Sequence, residues 1–351
     1  MQCGPIALAK RPNQREKSMI HKKDVKHITL ARFLAQRQQM YPKASGELTQ
    51  VIVQLSTVAK VIASYARRAA LLGIKGQTGE TNIQGEEVKK MDSLSNAAFT
   101  EAFEYVDIVG AIVSEEMDDP LILHVQTDHA KYVVLVDPLD GSSNLEVDCL
   151  TGSIFSIRTF KGTRHEDILE EGQQQVGAGY ILYGPSILFV YTIGDGVHSF
   201  VLDEQIGEFV FDHENIRMPV RGKIVSANFG NRKNWHESAG TFTDSLLSSG
   251  KKSYTLRYSG ALVADLHQIL HHGGIYFYPE DQKRPSGKLR LLYECAPLAM
   301  IAEQAGGGAT TGKRRVMEIF PDNIHQRVPF AIGSLQEIEE YKKAYSESCR
   351  V

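Results

Sequence analysis

Apolar residues recur along the chain with two alternating periods, and the local period predicts the element. After Gly46, the positions Leu48, Val51, Ile52, Leu55, Val58, Ala59 and Ile62 repeat at i, i+3, i+4 and i+7, which places them on one face of a helix. The pattern predicts a helix from Gly46 to about Leu72. A polar, glycine-rich stretch over 73–87 follows, with too few apolar side chains to pack by itself, so it reads as a loop. A second helix is expected over about 88–103. From there β-type runs are separated by turns: DIVGAIVSEE, YVVLVDPLDG, GSIFSIRTF, GEFVF, KIVSAN, GGIYFYP and KLRLLYE. Helices near 262–270 and 297–305 interrupt that series. Residues 176–194 run for nineteen positions without a formal charge, long enough to suggest a membrane span. Gly184-Pro185-Ser186 cuts this stretch, so GYILYG and ILFVYTIG read as two buried strands joined by a turn.

Composition narrows the class. With 351 residues, 42% hydrophobic and 23% charged, the chain is long enough for two domains and matches soluble globular proteins rather than fibrous or disordered ones. Helix and strand patterns together predict an α/β (α+β) fold with domains at 27–216 and 217–351. Residues 1–26 carry seven basic side chains against Glu16 and Asp24, a basic arm on an acidic body. The net charge of −3 argues against a nucleic-acid partner, which would call for a concentrated basic face. The apolar stretch 4–9 is too short for a signal-peptide core. Cysteines at 3, 149, 295 and 349 show neither metal-site spacing nor the density of a secreted scaffold. A cytoplasmic protein without membrane association is expected.

Chemistry concentrates where β runs end. Glu115 and Glu116 follow AIVS, Asp137 and Asp140 follow YVVLV, and Glu294 follows KLRLLY. Strand ends of an α/β sheet converge on one crevice, so these acids can meet in space. Gathered closely they repel by about 4 kcal/mol per near pair, and bound cations make such a cluster tolerable. An all-oxygen set without His or Cys suits Mg²⁺ or Mn²⁺ rather than zinc. In DPLDGSSN, a proline between Asp137 and Asp140 holds both carboxylates on one rigid turn. Gly141 allows close backbone approach, and Ser142-Ser143-Asn144 can cap a helix whose free amides suit a phosphate. Cations beside a phosphate-binding helix start form a kit for phosphoryl transfer.

The strings VDPLDGSSN, GKLRLLYECAPLA, VKKMDSLSN, LRYSGALVADLH and GGIYFYP together resemble the fructose-1,6-bisphosphatase family of lithium-sensitive, metal-dependent phosphatases, over roughly residues 30–334. The resemblance implies a layered α-β-α-β-α subunit and a homotetramer. It also implies Mg²⁺-dependent release of the 1-phosphate of fructose 1,6-bisphosphate in gluconeogenesis. By position it implies Glu115, Asp137, Asp140, Glu294, the Leu139 carbonyl and Glu86 as ligands of two to three ions. Asp92, Glu116 and Glu86 fall where the family activates the attacking water, and Ser142 and Ser143 where it holds the 1-phosphate. Asn228, Tyr258, Tyr278 and Lys288 match the contacts to the other phosphate and the sugar, and Arg257 matches an arginine that serves a neighbouring subunit. Ser45, Gly46, Glu47, Leu48, Thr49, Lys131 and Tyr132 match an allosteric AMP site. Three positions depart from the family pattern. Glu86 stands for Asp, Asn231 for a phosphate-binding Tyr, and Thr159 for the arginine of the AMP site, with Arg158 one place earlier on the opposite face of its strand.

Competing readings are weaker. Residues 307–314, GGATTGKR, meet part of a P-loop pattern, but a helix precedes the glycines and Arg314 replaces the hydroxyl, so a helix end and turn is expected. His271 and His272, with His267 one turn earlier, invite zinc, yet the sequence supplies no nearby acid as a third ligand. An inert regulatory subunit is disfavoured because every matched acid is present. A sedoheptulose-1,7-bisphosphatase, or a dual-specificity enzyme, shares the same metal kit and stays open as the alternative.

Overall fold

The computed structural model describes residues 28–40, 45–81, 87–124, 129–248 and 253–348. The basic arm at 1–26 and Glu86 lie outside the described residues. Among those described, an eight-stranded sheet runs in the spatial order Glu208–His213, His198–Asp203, Ile187–Thr192, Gly177–Tyr183, Thr151–Thr159, Tyr132–Asp140, Val109–Ser114, Leu121–Ile122. Its neighbours are antiparallel except Val109–Ser114 and Tyr132–Asp140, which are parallel. A five-stranded sheet has the order Thr255–Leu256, Ile224–Ser226, Gly274–Tyr278, Phe330–Gly333, Gly308–Thr310.

The period-two pattern sorts side chains into layers. In Gly177–Tyr183, Ala178, Tyr180 and Leu182 join the core between the sheets, while Ile181 and Tyr183 join the core under the N-terminal helices. In Gly274–Tyr278, Tyr276 and Tyr278 face that middle core, and Ile275 and Phe277 face the helices Glu237–Ser248 and Leu335–Ser348. The middle core is completed by helices Leu262–His272 and Ala296–Gln304. Helix, sheet, helix, sheet, helix is therefore the layer order, as the resemblance implied.

The helix expected after Gly46 spans Glu47–Leu72 and buries Val51, Ile52, Leu55, Val58, Ala59 and Ile62. By length and composition it could cross a bilayer, but this apolar stripe is already covered by the large sheet's core, at roughly 1.5–3 kcal/mol for each large side chain removed from water. The uncharged stretch 176–194 forms two adjacent antiparallel strands. Several expectations need correction. The second helix begins at Lys90 rather than 88, because Glu87–Lys89 pairs with Gln77–Thr81 as a short antiparallel ladder in what was read as loop. KLRLLYE is a strand only at Leu289–Arg290; Leu291–Cys295 winds into a π-helical turn that feeds helix Ala296–Gln304. There Glu294 Oε2 accepts the Arg290 backbone N–H at 2.6 Å, holding the wide turn where the short pairing of Leu289–Arg290 with Arg327–Val328 ends. In the GGATTGKR segment the expected helix end and turn are present after helix Ala296–Gln304, with the short strand Gly308–Thr310 between them as the unforeseen part.

Candidate active site

A cavity of about 370 Å³ is lined by residues of both sheets. Six carboxylates face it: Asp92, Glu115, Glu116, Asp137, Asp140 and Glu294. Asp137 and Asp140 sit where the strand Tyr132–Asp140 loses register with its neighbour. Asp137 Oδ1 accepts the Leu139 N–H at 3.1 Å, which fixes the turn around Pro138. Asp140 accepts the backbone N–H groups of Leu262 and Val263 at 3.1 and 2.7 Å, an anion at the amino end of helix Leu262–His272. Gly141 has φ 73°, and a Cβ there would stand 2.5 Å from the Ala261 Cβ. Only glycine lets the two segments meet.

Ser142–Leu145 is one helical turn, and Asn144 ties it down by donating to the Leu150 and Ser259 carbonyls, each at 2.9 Å. Asp265 accepts the Ser259 N–H, so the loop carrying Tyr258 is held from two sides.

Burial and mutual repulsion set the electrostatics. Burial pushes the Asp137 carboxyl well above the usual range, helped by Glu115, Glu294 and Asp140. Asp140 rises to about 7 and Glu294 to about 8, first through burial and then, against the backbone donors and Arg290, through Glu115. Asp92 is raised to about 7 by burial, partly countered by Ser142 and Lys89 beside it. Among the described residues its Oδ1 is buried without a hydrogen-bond partner. An all-oxygen set whose members push each other toward neutrality, with an orphaned acceptor among them, fits hard divalent cations. As they stand, no three His, Cys, Asp or Glu side chains among the described residues form a ready cage. Glu115 is instead paired with the buried Arg290 guanidinium, which also lies 4.0 Å from Glu294.

Away from the acids, the cavity wall carries Tyr258, Tyr278, Arg284 and Lys288. The Tyr278 hydroxyl receives the Asn231 amide at 3.3 Å and Arg284 Nη1 at 3.4 Å, and the Lys288 ammonium lies 5.6 Å from the Tyr278 ring centre. Asn228 faces the Tyr258 phenol.

Comparison with known proteins decides the family. Residues 28–214 match the model "Fructose-1-6-bisphosphatase, N-terminal domain" and residues 218–346 the model "Fructose-1-6-bisphosphatase, C-terminal domain". The chain belongs to the fructose-1,6-bisphosphatase family. It is 45% identical over 316 residues to the class 1 fructose-1,6-bisphosphatase of Persephonella marina, covering 90% of this chain and 97% of that protein. The class 1 fructose-1,6-bisphosphatase of Thermosynechococcus vestitus is 44% identical, covering 89% and 90%. The crystal structure of Leishmania major fructose-1,6-bisphosphatase in holo form superposes with a TM-score of 0.86 at 35% identity, covering 92% of this chain and 99% of that one.

Of the residues matched to the fructose-1,6-bisphosphatase pattern, Asp92, Glu115, Glu116, Asp137, Leu139, Asp140, Ser142, Ser143, Tyr258, Tyr278, Lys288 and Glu294 line this one cavity. Arg257 does not; it is exposed beside the short edge strand Thr255–Leu256. Glu86 lies outside the described residues. Reading the sequence missed Arg290 and Arg284. The signal for Arg290 was the surplus of acids, since a buried carboxylate cluster calls for a buried cation.

A second cavity of about 260 Å³ lies at the start of helix Glu47–Leu72, lined by Ser45, Gly46, Leu48, Thr49 and Tyr132 together with Arg37. Lys131 pairs with Glu47 at 2.5 Å, and Thr49 donates to Gln38 at 3.3 Å. Thr159 stands opposite Tyr132 in the ladder, while Arg158 stands opposite Val133, is fully buried, and donates to the Glu170 carbonyl at 2.5 Å. Arg158 therefore points away from this cavity. Three histidines also gather, as the His267 and His271 rings meet edge to face with centres 4.8 Å apart and the His213 ring lies 6.0 Å from that of His271.

Proposed function

We propose that this protein hydrolyses the 1-phosphate of fructose 1,6-bisphosphate, giving fructose 6-phosphate and inorganic phosphate, with Mg²⁺ as the cation. The observation that carries the reading is one cavity combining a buried carboxylate cluster with a separate group of cations and tyrosines. Such a cavity suits a substrate with a reacting phosphate at one end and a second phosphate at the other.

In this reading Glu115, Asp137, Asp140, Glu294, the Leu139 carbonyl and Glu86 hold two to three ions. When bound, such ions draw electron density from the phosphoryl group and offset its negative charge. Arg290 must release Glu115 for that to happen. Ser142 and Ser143 hold the 1-phosphate by their hydroxyl and backbone donors. Asp92, with its raised carboxyl, and Glu116 take the proton of the attacking water, a task suited to a group titrating near neutrality. Lys288, Tyr278, Tyr258 and Asn228 orient the sugar and its far phosphate, and Arg257, exposed on its own subunit, serves a neighbour's site in a homotetramer. The cavity beside Glu47 is read as an AMP-type regulatory site, the domain division is placed near Ile216, and the setting is cytoplasmic gluconeogenesis.

The test is phosphate release from fructose 1,6-bisphosphate and sedoheptulose 1,7-bisphosphate side by side, titrating Mg²⁺ with EDTA as the blank. A large preference for the fructose substrate is expected. Comparable rates make the enzyme a dual-specificity sugar bisphosphatase, and no Mg²⁺-dependent release from either overturns the reading.

A further inference from the structure

Four cationic side chains line the main cavity, Lys89, Arg284, Lys288 and Arg290, and they divide into two pairs by what neutralises them. Lys89 is bonded to Glu146 at 3.1 Å and Arg290 to Glu115. Among the described residues neither Arg284 nor Lys288 has a carboxylate within ion-pair distance. Two positive charges facing the same cavity without a counter-charge repel each other, and an anion with several oxygens relieves both.

Arg284 is delivered by a fixed segment. The buried Asp281 carboxylate accepts the backbone N–H groups of Lys283 and Arg284, each at 2.8 Å. The Gln282 N–H donates to the Asn234 carbonyl at 3.0 Å and the His236 N–H to the Glu280 carbonyl at 3.2 Å. The turn is thus tied at two points to the segment carrying Asn231. Arg284 and Asn231 then converge on one atom, the Tyr278 hydroxyl, at 3.4 and 3.3 Å. A planar guanidinium can grip two phosphate oxygens at once, whereas the Lys288 ammonium acts as a point charge.

We infer that Arg284 is a specificity-determining residue of this site, clamping the non-reacting phosphate together with Lys288, with Asn231 and Tyr278 fixing the angle of the clamp. The inference rests on the sugar-bisphosphate reading and adds a residue to it. Its consequence is that Arg284 makes the enzyme prefer a sugar with phosphate at both ends over one phosphorylated only at the reacting end.

The experiment compares the wild type with Arg284→Ala and Arg284→Lys on fructose 1,6-bisphosphate and on fructose 1-phosphate, which lacks the far phosphate. Arg284→Ala is expected to raise KM for the bisphosphate by ~10- to 100-fold, the equivalent of one charge-assisted pair. Its KM for fructose 1-phosphate should rise far less, and Arg284→Lys should recover part of the bisphosphate KM. An unchanged bisphosphate KM in Arg284→Ala, or an equal loss on both substrates, overturns the assignment. Calorimetric titration of fructose 6-phosphate and fructose 1-phosphate, in EDTA and without turnover, separates this failure from that of the wider reading. Weaker binding of fructose 6-phosphate alone in Arg284→Ala supports the clamp even if the wild type hydrolyses neither sugar, and equal binding by wild type and variant defeats it.

Discussion

The carboxylate cavity and the cavity at the start of helix Glu47–Leu72 both gather charged residues, but they leave them in opposite states. In the first, Asp137, Asp140 and Glu294 are buried against one another with their carboxyls pushed up, and among the described residues Arg284 and Lys288 lack carboxylate partners. In the second, Arg37 is held by Asp195 at 2.5 Å and Glu214 at 2.8 Å, and just outside its lining Lys131 is held by Glu47. The first region stores unfavourable electrostatics of a kind that cations and an anion offset. The second has satisfied itself, so a ligand there must first break pairs already made, and its affinity is the difference between two similar sets of contacts. Unrelieved charge leaves the first region ready to take up ions, whereas the second binds an ion only by exchanging pairs already made.

The strongest way to break this contrast is to remove one of the crowded acids. Asp137→Asn should lower Mg²⁺-dependent turnover by ~10³-fold or more, about 4 kcal/mol of transition-state stabilisation. The same change should raise the melting temperature of the metal-free protein. The sign follows from linkage: a carboxyl raised above its unfolded value of 3.8 loses stability as pH climbs past that value, so at neutral pH the ionised group is a burden that Asn lifts. An unchanged rate would remove Asp137 from the ion site, and a lower melting temperature would show that the cluster is not under electrostatic strain. The wild type offers a companion measurement. With Asp140 near 7 and Glu294 near 8, Mg²⁺ added at pH 7 to the metal-free enzyme should release protons, and the release should shrink by pH 9. A pH-stat titration without release at pH 7 would contradict the raised carboxyls.

Much of the first region was legible before any coordinates, and the reason is local. Asp137 and Asp140 sit on one rigid turn whose Pro138 and Gly141 announce its shape, and Glu115 follows an apolar run that had to be a strand. Glu294 was found for a partly wrong reason, since its segment winds into a π turn; leucine-rich LRLLY carries no β-branched residue to insist on extension. What stayed hidden depends on long-range contact. The role of Arg290 needs Glu115, 175 positions earlier, to be known as its partner, and Arg284 stands out only because no carboxylate among the described residues neutralises it. Helix Leu30–Gln38 was missed because it is short and polar, with Leu30, Phe33 and Leu34 as its only buried side chains. With it went Arg37, the arginine of the second cavity.

A smaller test extends the comparison to a group that answers burial by giving up its charge. His267 is covered by neighbours from the large sheet and its own helix: Tyr180, whose hydroxyl contacts Nδ1 at 2.8 Å, with His271, His272, His213 and Asp212 around it. Burial, then the positive potential of the other histidines against the pull of Asp212, lowers it from 6.5 to about 4. The unfolded chain therefore binds a proton that the fold refuses, and stability falls as pH drops from 6.5 toward 4, by up to about 3 kcal/mol. His267→Gln should flatten that part of the curve of urea midpoint against pH. An equally steep fall in the variant would assign the titration to another group.

The smallest expected effect lies in the second cavity and turns on one pair. If AMP binds there, its phosphate competes with Glu47 for the Lys131 ammonium, an exposed ion pair that solvent screening keeps weak. Millimolar AMP should slow the wild type, and Lys131→Ala should raise the AMP needed for half inhibition by ~10-fold by deleting the cation. Glu47→Gln should act in the opposite direction, lowering that concentration by a few-fold, because the ammonium is then free before the nucleotide arrives. The opposed signs are what make the pair diagnostic. A cavity that merely needs its shape preserved would lose AMP sensitivity in both variants, and one that does not bind AMP would respond to neither.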